Sequence, residues 1–512
     1  MATLHFDVLV VGAGSAGSVV AARLSEDPAR RVGLIEAGEM PSDPDIADPL
    51  KWPQLPGRPY DWAYRTAPQP FTAGRIHEWP RGRIVGGSSC LHAMAHVRGH
   101  PDDFDAWAEA GGPRWSYRGL LPGFRRSESF SAGPAPGRGV DGPLAVYVPD
   151  DEVSPVVRAY MAAGNALGVP AIGDHNSDEI IGTAPNSLTI ADGRRVSLAD
   201  AYLPPAVRAR PNLAVLTGAM AEQILFDGPT ASGVMTTRAG RPETVHADRI
   251  VVATGAIETP LLLMRSGIGD PAVLADAAIR CRIDRRAVGA NLQDHLLVLG
   301  NLYRARKPVP PSRLQHSESL MYLHSDDLGR ADGAPDIVLA CVVAPSVAPG
   351  LPAPAYGSAY TILCGVCHPT SRGRITPTGP TSSDAPVIDP HYLETDHDRS
   401  VFRAALKTAR LVGGQPELDA WRDSELLPGP GATSDEDLDA FIAKAACTHH
   451  HPSGTCRLGR DGDAVVDPDL RLIGLDNVFI VDASVIPAIP SGPINAAVVA
   501  IAETWSAACG AS

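Results

Sequence analysis

Three glycines, one acid and a run of three histidines carry the chemistry legible in this chain. Gly12, Gly14 and Gly17 stand at G-x-G-x-x-G spacing, with Ser15 and Ala16 between them. At this spacing the first glycine lets the chain turn, the second lets backbone approach a pyrophosphate, and the third lets a helix pack on a strand. Glu36, followed by Ala37, lies about 20 residues beyond, where a carboxylate binds adenosine ribose hydroxyls. A second glycine-rich turn, Arg81 to Ser89, sets Gly86, Gly87 and Ser88 beside basic residues and could cradle another part of a large anion. Thr448 is followed by His449, His450 and His451. Imidazole changes charge near neutral pH and serves as a base or a metal ligand. Neighbouring residues on a strand alternate faces, so the three do not converge on one ion, and no metal is expected.

These residues need elements to hold them. Val8 to Val11 is short, apolar and rich in branched side chains, as in a strand buried on both faces. Ser18 to Leu24 has a helical pattern, and its N-terminus would turn free N–H groups and a positive dipole end toward phosphates. Val32 to Ile35 makes the second strand, with Glu36 at its end. A glycine-rich turn alone is weak evidence, but strand, glycines, helix, strand and acid in register describe a dinucleotide site. That motif does not choose NAD over FAD. Asn212 to Leu225 reads as strand, turn, strand, and Ile250 to Thr254 as an apolar strand ending at Gly255. Asn477 to Ala483 reads as a last parallel strand with Asp482 near its end, where a carboxylate could bind ribityl hydroxyls. This second cofactor strand favours FAD. Pro493, Ile494 and Asn495 lead into an apolar helix from Ala496 to Ala502, whose N-terminus would stabilise negative charge on a reduced flavin.

Between these parts the texture changes. Pro41 to Pro59 reads as loop, and Trp62 just beyond it is either a member of a satellite cluster or a cofactor contact. Cys90 to Arg98 could start a helix or an extended segment. Asn301 to about Cys447 sets strand-like segments between proline-rich loops. Cys364 and Cys367 have C-x-x-C spacing, but they fall in such a segment, and a strand explains them better than a redox pair.

The totals exclude several classes. At 512 residues, two domains are expected. The charge of −14 argues against a nucleic-acid surface. No apolar run reaches membrane-spanning length, no basic and apolar leader precedes the first strand, and eight scattered cysteines fit a reducing cytoplasm.

Five blocks resemble the glucose–methanol–choline (GMC) family of flavin oxidoreductases. They are Arg81 to Gly99 with Asp103 to Trp107, Gly193 to Ser197 with Ala201 to Leu203, Gly255 to Gly269, Val288 to His295, and His451 to Arg457. They follow the family's order across the whole chain. The resemblance implies an α/β fold, a Rossmann-like FAD-binding domain interleaved with an α+β substrate domain on a mostly antiparallel sheet. Residues 1–155, 197–300 and 448–512 would form the first and 156–196 and 301–447 the second. The likeness implies cofactor contacts from the two glycine turns, from His92, Ala93, Met94 and Ala95, from Ala221 and Ala253 near adenosine, and from Asp482, Ala483, Pro493, Ile494 and Asn495. It selects His451 as catalytic.

The expected reaction is oxidation of a primary alcohol to an aldehyde. Flavin N5 takes the hydride, His451 takes the hydroxyl proton, and O2 is reduced to H2O2. Two positions depart from the family. Where members carry a second polar active-site residue this chain has Pro493, which offers no side-chain donor or acceptor. His92 stands where Asn is common, and Leu91 stands where some members bind FAD covalently through histidine, so FAD is expected to be non-covalent. The rival readings are another alcohol of the same family (choline-like, aryl or furan), a flavin-binding module without turnover, and an NAD-dependent dehydrogenase.

Overall fold

The computed structural model describes residues 4–177, 179–326 and 333–510. Its first sheet is built on strand His5–Val11, which pairs in parallel with Val32–Ile35 on one side and with Arg241–Val252 on the other. Leu213–Leu216 extends the parallel part beyond Val32–Ile35. The long strand Arg241–Val252 has further neighbours in the same sheet. Its first half pairs antiparallel with Thr230–Arg238, which pairs with Ala219–Asp227, and its end pairs in parallel with Val478–Ile480. The parallel centre is apolar throughout: Leu9, Val10, Leu34, Ile250 and Val251 are buried, as strands covered on both faces require.

The sequence places these strands correctly: Val32–Ile35 has the expected bounds, the first strand and the one ending at Val252 begin earlier than expected, and the last, Val478–Ile480, is shorter than expected. The first helix runs Ser15–Leu24, and the C-terminal helix runs Ile494–Gly510, beyond the apolar stretch that signals it. Two expectations change. Residues 41–59 are not a plain loop: they hold short 3-10 helices Pro44–Ala47 and Pro49–Gln54. Each begins with proline after an aspartate, Asp43 or Asp48, whose side chain accepts from backbone two residues on. Cys90 to Arg98 forms no helix of its own; a 3-10 turn over Gly87–Cys90 precedes irregular chain.

The second sheet is antiparallel in every pairing among the described residues. Its order is Arg422–Leu427, Leu302–Ala305, Ala359–Val366, Ile337–Val342, Ser317–Leu323, Gly182–Pro185. Strand Leu296–Val298 joins it on Ala359–Val366 and carries Ala446–Thr448 on its other edge. That last pairing matters most for function. It lays the Val288 to His295 block against the Thr448 to Thr455 block, with Leu296 opposite Thr448 and Gln293 opposite Ser453. No helix among the described residues is long and apolar enough to cross a membrane.

Candidate active site

One cavity of about 430 Å³ runs from the glycine turn at Gly12 to the histidines at 449–451. At its first end, Gly12 has φ +97°, and a Cβ there would lie 2.6 Å from the Ala253 carbonyl oxygen; a Cβ on Gly17 would lie 1.8 Å from the Gly12 carbonyl oxygen. Strand, turn and helix therefore meet at backbone contact. No side chain caps helix Ser15–Leu24, so its first N–H groups remain available to a ligand. The two glycine turns also touch: a Cβ on Gly87, at φ +56°, would lie 2.6 Å from Gly14 Cα.

Glu36 closes this end. Its carboxylate accepts from Ala13 N and from Gly38 N, each at 2.9 Å. Burial pushes its pKa up to about 7. Arg81 borders the cavity, and its Nε and Nη2 are buried without a protein partner among the described residues. Trp62 stacks on Tyr64 at 5.8 Å, under the Arg83 guanidinium, and also borders the cavity. An uncapped helix, a carboxylate, a bare guanidinium and glycines with no room for Cβ suit a long dinucleotide carrying phosphates.

The expected cofactor residues largely converge here. Ser15, Ala16, Ala37, Ser88, Ala221 and Ala253 border this cavity. So do His92, Ala93, Met94 and Ala95, and Ala483, Pro493, Ile494 and Asn495. Gly17 and Gly86 do not; they serve packing, Gly86 against Cys90 and Ala199. Asp482 is at the wall, but its carboxylate is already filled by four donors. Gly255 N and Thr259 Oγ1 reach one oxygen, and Ser484 N and Oγ the other. The aspartate therefore shapes two turns rather than offering free oxygens to ribityl hydroxyls. Asn495 Nδ2 donates to Ser15 Oγ at 2.8 Å, tying the starts of the two helices together. His92 Nδ1 accepts from Met94 N at 3.0 Å and faces Arg195; burial first, then that cation, lowers its pKa to about 3.

At the other end, three consecutive residues of the Val288 to His295 block hold the loop that carries His451. Gln293 accepts from Ile489 N and donates to the Pro487 carbonyl, each at 3.1 Å, on the chain leading to Pro493. Asp294 accepts from Thr448 Oγ1 at 2.6 Å, from His451 N at 2.7 Å and from Tyr392 OH. Its pKa rises to about 6 because burial outweighs these donors. His295 Nδ1 meets His451 Nδ1 at 2.9 Å. Asp103 fixes the far side of the loop through Ser491 N and His368 Nε2, each at 2.8 Å. Sequence reasoning quoted the Gln293-Asp294-His295 block without giving it these roles.

Strand alternation does not keep the three histidines apart, contrary to expectation. It separates His450, which has φ +66°, but it leaves His449 and His451 on one side, with ring centroids 4.4 Å apart. His295 arrives from the neighbouring strand, and ligating nitrogens of the three lie within 4.8 Å of one another. Residues two apart on a strand share a face, and the sequence could not say what the next strand would add. Cys364 and Cys367 are buried thiols, their pKa values pushed up by burial.

GMC oxidoreductase models match residues 6–297 and 369–502. The chain belongs to the GMC oxidoreductase family. It is 54% identical over 503 residues to pyridoxine 4-oxidase of Microbacterium luteolum, covering 98% of this chain and 99% of that one. The solved structure of pyridoxine 4-oxidase from Mesorbium loti superposes with a TM-score of 0.97 at 54% identity, covering 99% of each chain. Oxygen-dependent choline dehydrogenase of Rhizobium etli is 36% identical over 96% of this chain and 93% of its own. Membership makes this protein an FAD-dependent oxidoreductase acting on alcohols, with the mixed α/β fold expected from its motifs.

Proposed function

We propose that the enzyme oxidises pyridoxine to pyridoxal, with His451 as general base and O2 as electron acceptor. The observation that carries the base assignment is the place of His451, in one cavity with the Gly12–Glu36 cradle. The substrate rests on the likeness to two pyridoxine 4-oxidases. FAD, when bound, supplies the acceptor for the hydride, and O2 takes up the two electrons with two protons and leaves as H2O2.

The protein's own part is binding and proton handling. The hydroxymethyl O–H breaks, and its proton passes to an imidazole nitrogen of His451. Asp294 keeps the His451 backbone in place through its N–H. The walls at the sheet are aliphatic, with Leu297, Leu320, Val338, Ala340 and Leu363 facing the cavity. Such walls, with Trp52 beside them on the Gln315 carbonyl, suit a flat neutral ring. Pro493 brings no polar group, and the phenolic hydroxyl next to the reacting hydroxymethyl supplies the missing orientation. A Pro493→Asn or Pro493→His change that sped up every alcohol alike would defeat that idea.

FAD is held without a covalent bond, since Leu91 occupies the linking position; acid precipitation that left yellow colour in the pellet would refute this. Both ring nitrogens of His295 are engaged, by His451 Nδ1 at 2.9 Å and by the Cys367 carbonyl at 2.8 Å, which favours hydrogen bonding over metal ligation at the histidine cluster, so dialysis against a chelator should leave turnover unchanged. The setting is cytoplasmic, which cell fractionation tests.

The primary experiment mixes the yellow protein with pyridoxine without oxygen and then admits air. Bleaching of the flavin band followed by rapid recovery with H2O2 is expected. Bleaching without rapid recovery would replace O2 with another acceptor. No bleaching by pyridoxine, with bleaching by choline or a benzyl-type alcohol, would discard the substrate.

A further inference from the structure

We propose that His295 is a positioning residue for the reaction: it accepts a hydrogen bond from His451 Nδ1–H and thereby sets His451 Nε2 as the nitrogen that takes the alcohol proton. The inference rests on the reading of His451 as base.

His295 Nε2 lies 2.8 Å from the Cys367 carbonyl oxygen. A carbonyl only accepts, so this ring nitrogen carries the hydrogen. His295 is buried, and burial first, then His449, lowers its pKa to about 3. The ring is therefore neutral, with a single proton already placed on Nε2, and its Nδ1 is a bare lone pair. The partner across the 2.9 Å contact is His451 Nδ1, which must be the donor. His451 too is held neutral, well below the ordinary imidazole range, by burial first and then by His449, His295 and His450. Its one proton sits on Nδ1, and its Nε2 is left unprotonated.

Three further features make the arrangement firm. The rings meet edge to face, with centroids 5.1 Å apart and planes at 83°. His295 O accepts from His449 N at 2.8 Å, so the strand pairing fixes both backbones. Asp294, the residue before His295, binds His451 N. When His451 gains the alcohol proton at Nε2, its Nδ1–H bond to His295 becomes charge-assisted and strengthens. His295 itself neither gains nor loses a proton. Its work is that of an orienting group behind a catalytic histidine, done here by a neutral imidazole instead of a carboxylate.

The test compares His295→Leu, His295→Asn and His451→Ala as purified holoproteins. Each is mixed with pyridoxine without oxygen, and the limiting rate of flavin reduction is measured per bound flavin. Leu removes the acceptor. Asn sets its Oδ1 about where a histidine Nδ1 sits and keeps it. His451→Ala should slow reduction by about 10²-fold or more. His295→Leu should slow it by about 10²-fold with half-saturating pyridoxine little changed, and Asn should restore it to within about tenfold of wild type. Normal reduction in His295→Leu, beside a slow His451→Ala, overturns the inference alone. An Asn variant as slow as Leu also overturns it, because lost packing would then explain both. Normal reduction in His451→Ala removes the base assignment itself.

Discussion

Glu36 ties cofactor affinity to pH. Burial holds its pKa at about 7 in the protein without ligand. Its two oxygens point one each at Ala13 N and Gly38 N, leaving a second lone pair on each for ribose hydroxyls. Those hydroxyls are better donors to a carboxylate than to a carboxylic acid, so FAD binding favours the deprotonated form. The sign follows: the acid must lose its proton before binding, so affinity rises with pH up to about 7 and then levels. At pH 5.5 about 3% of Glu36 is ionised and at pH 7.5 about three quarters, so FAD should bind roughly 25-fold more weakly at the lower pH, about 1.9 kcal/mol. Asp482 is also pushed upward by burial, but its lone pairs are filled by protein donors. Glu36→Gln should weaken FAD by about 10- to 100-fold, because a charge-assisted bond is lost and its amide turns a donor toward Ala13 N or Gly38 N. It should also flatten the pH dependence. The assay is flavin fluorescence quenching on adding FAD to flavin-stripped protein at both pH values. Equal wild-type affinity at the two, or an unchanged slope in Glu36→Gln, would refute the reasoning.

Three more expectations concern single residues. Gly87→Ala places a methyl 2.6 Å from Gly14 Cα at a left-handed φ of +56°, so the variant should purify colourless; full flavin content would contradict the contact. Asp294→Asn turns a donor toward one of three donors, which should cost about 1–3 kcal/mol in chemical unfolding and slow flavin reduction. Glu503 is buried and binds Arg23 Nη2 at 2.8 Å, Arg126 Nε at 2.6 Å and Tyr202 OH at 2.6 Å. Replacing it with alanine takes the only carboxylate paired with Arg126 among the described residues and leaves Arg23 just its exposed pair with Glu26, and should destabilise by about 3 kcal/mol, measured by urea unfolding with cofactor content held equal.

What could be read along the chain was local chemistry. The first cradle is continuous in sequence, from Gly12 to Glu36, and its spacing is dictated by one strand, one turn and one helix. Composition likewise separated an apolar parallel sheet from a second region of strand-like segments, and the family resemblance implied that the second sheet is antiparallel. The ordering of blocks along the chain identified the family and singled out His451 as the candidate base. Three matters depended on chain segments far apart in sequence. Glu36 and the Arg81 turn share a cavity only because the two glycine turns touch at Gly14 and Gly87. Asp482 looked like a ribityl ligand, yet its lone pairs are spent on turns at Gly255 and Ser484, which no spacing rule reveals. His295 and His451 are 156 residues apart and meet because strands Leu296–Val298 and Ala446–Thr448 pair in one register. A shift of one residue in that register would turn His295 to the other face of the sheet and leave His451 without its acceptor. Residue type gives a histidine its chemistry, but which of its nitrogens holds the proton is settled by the strand that folds against it.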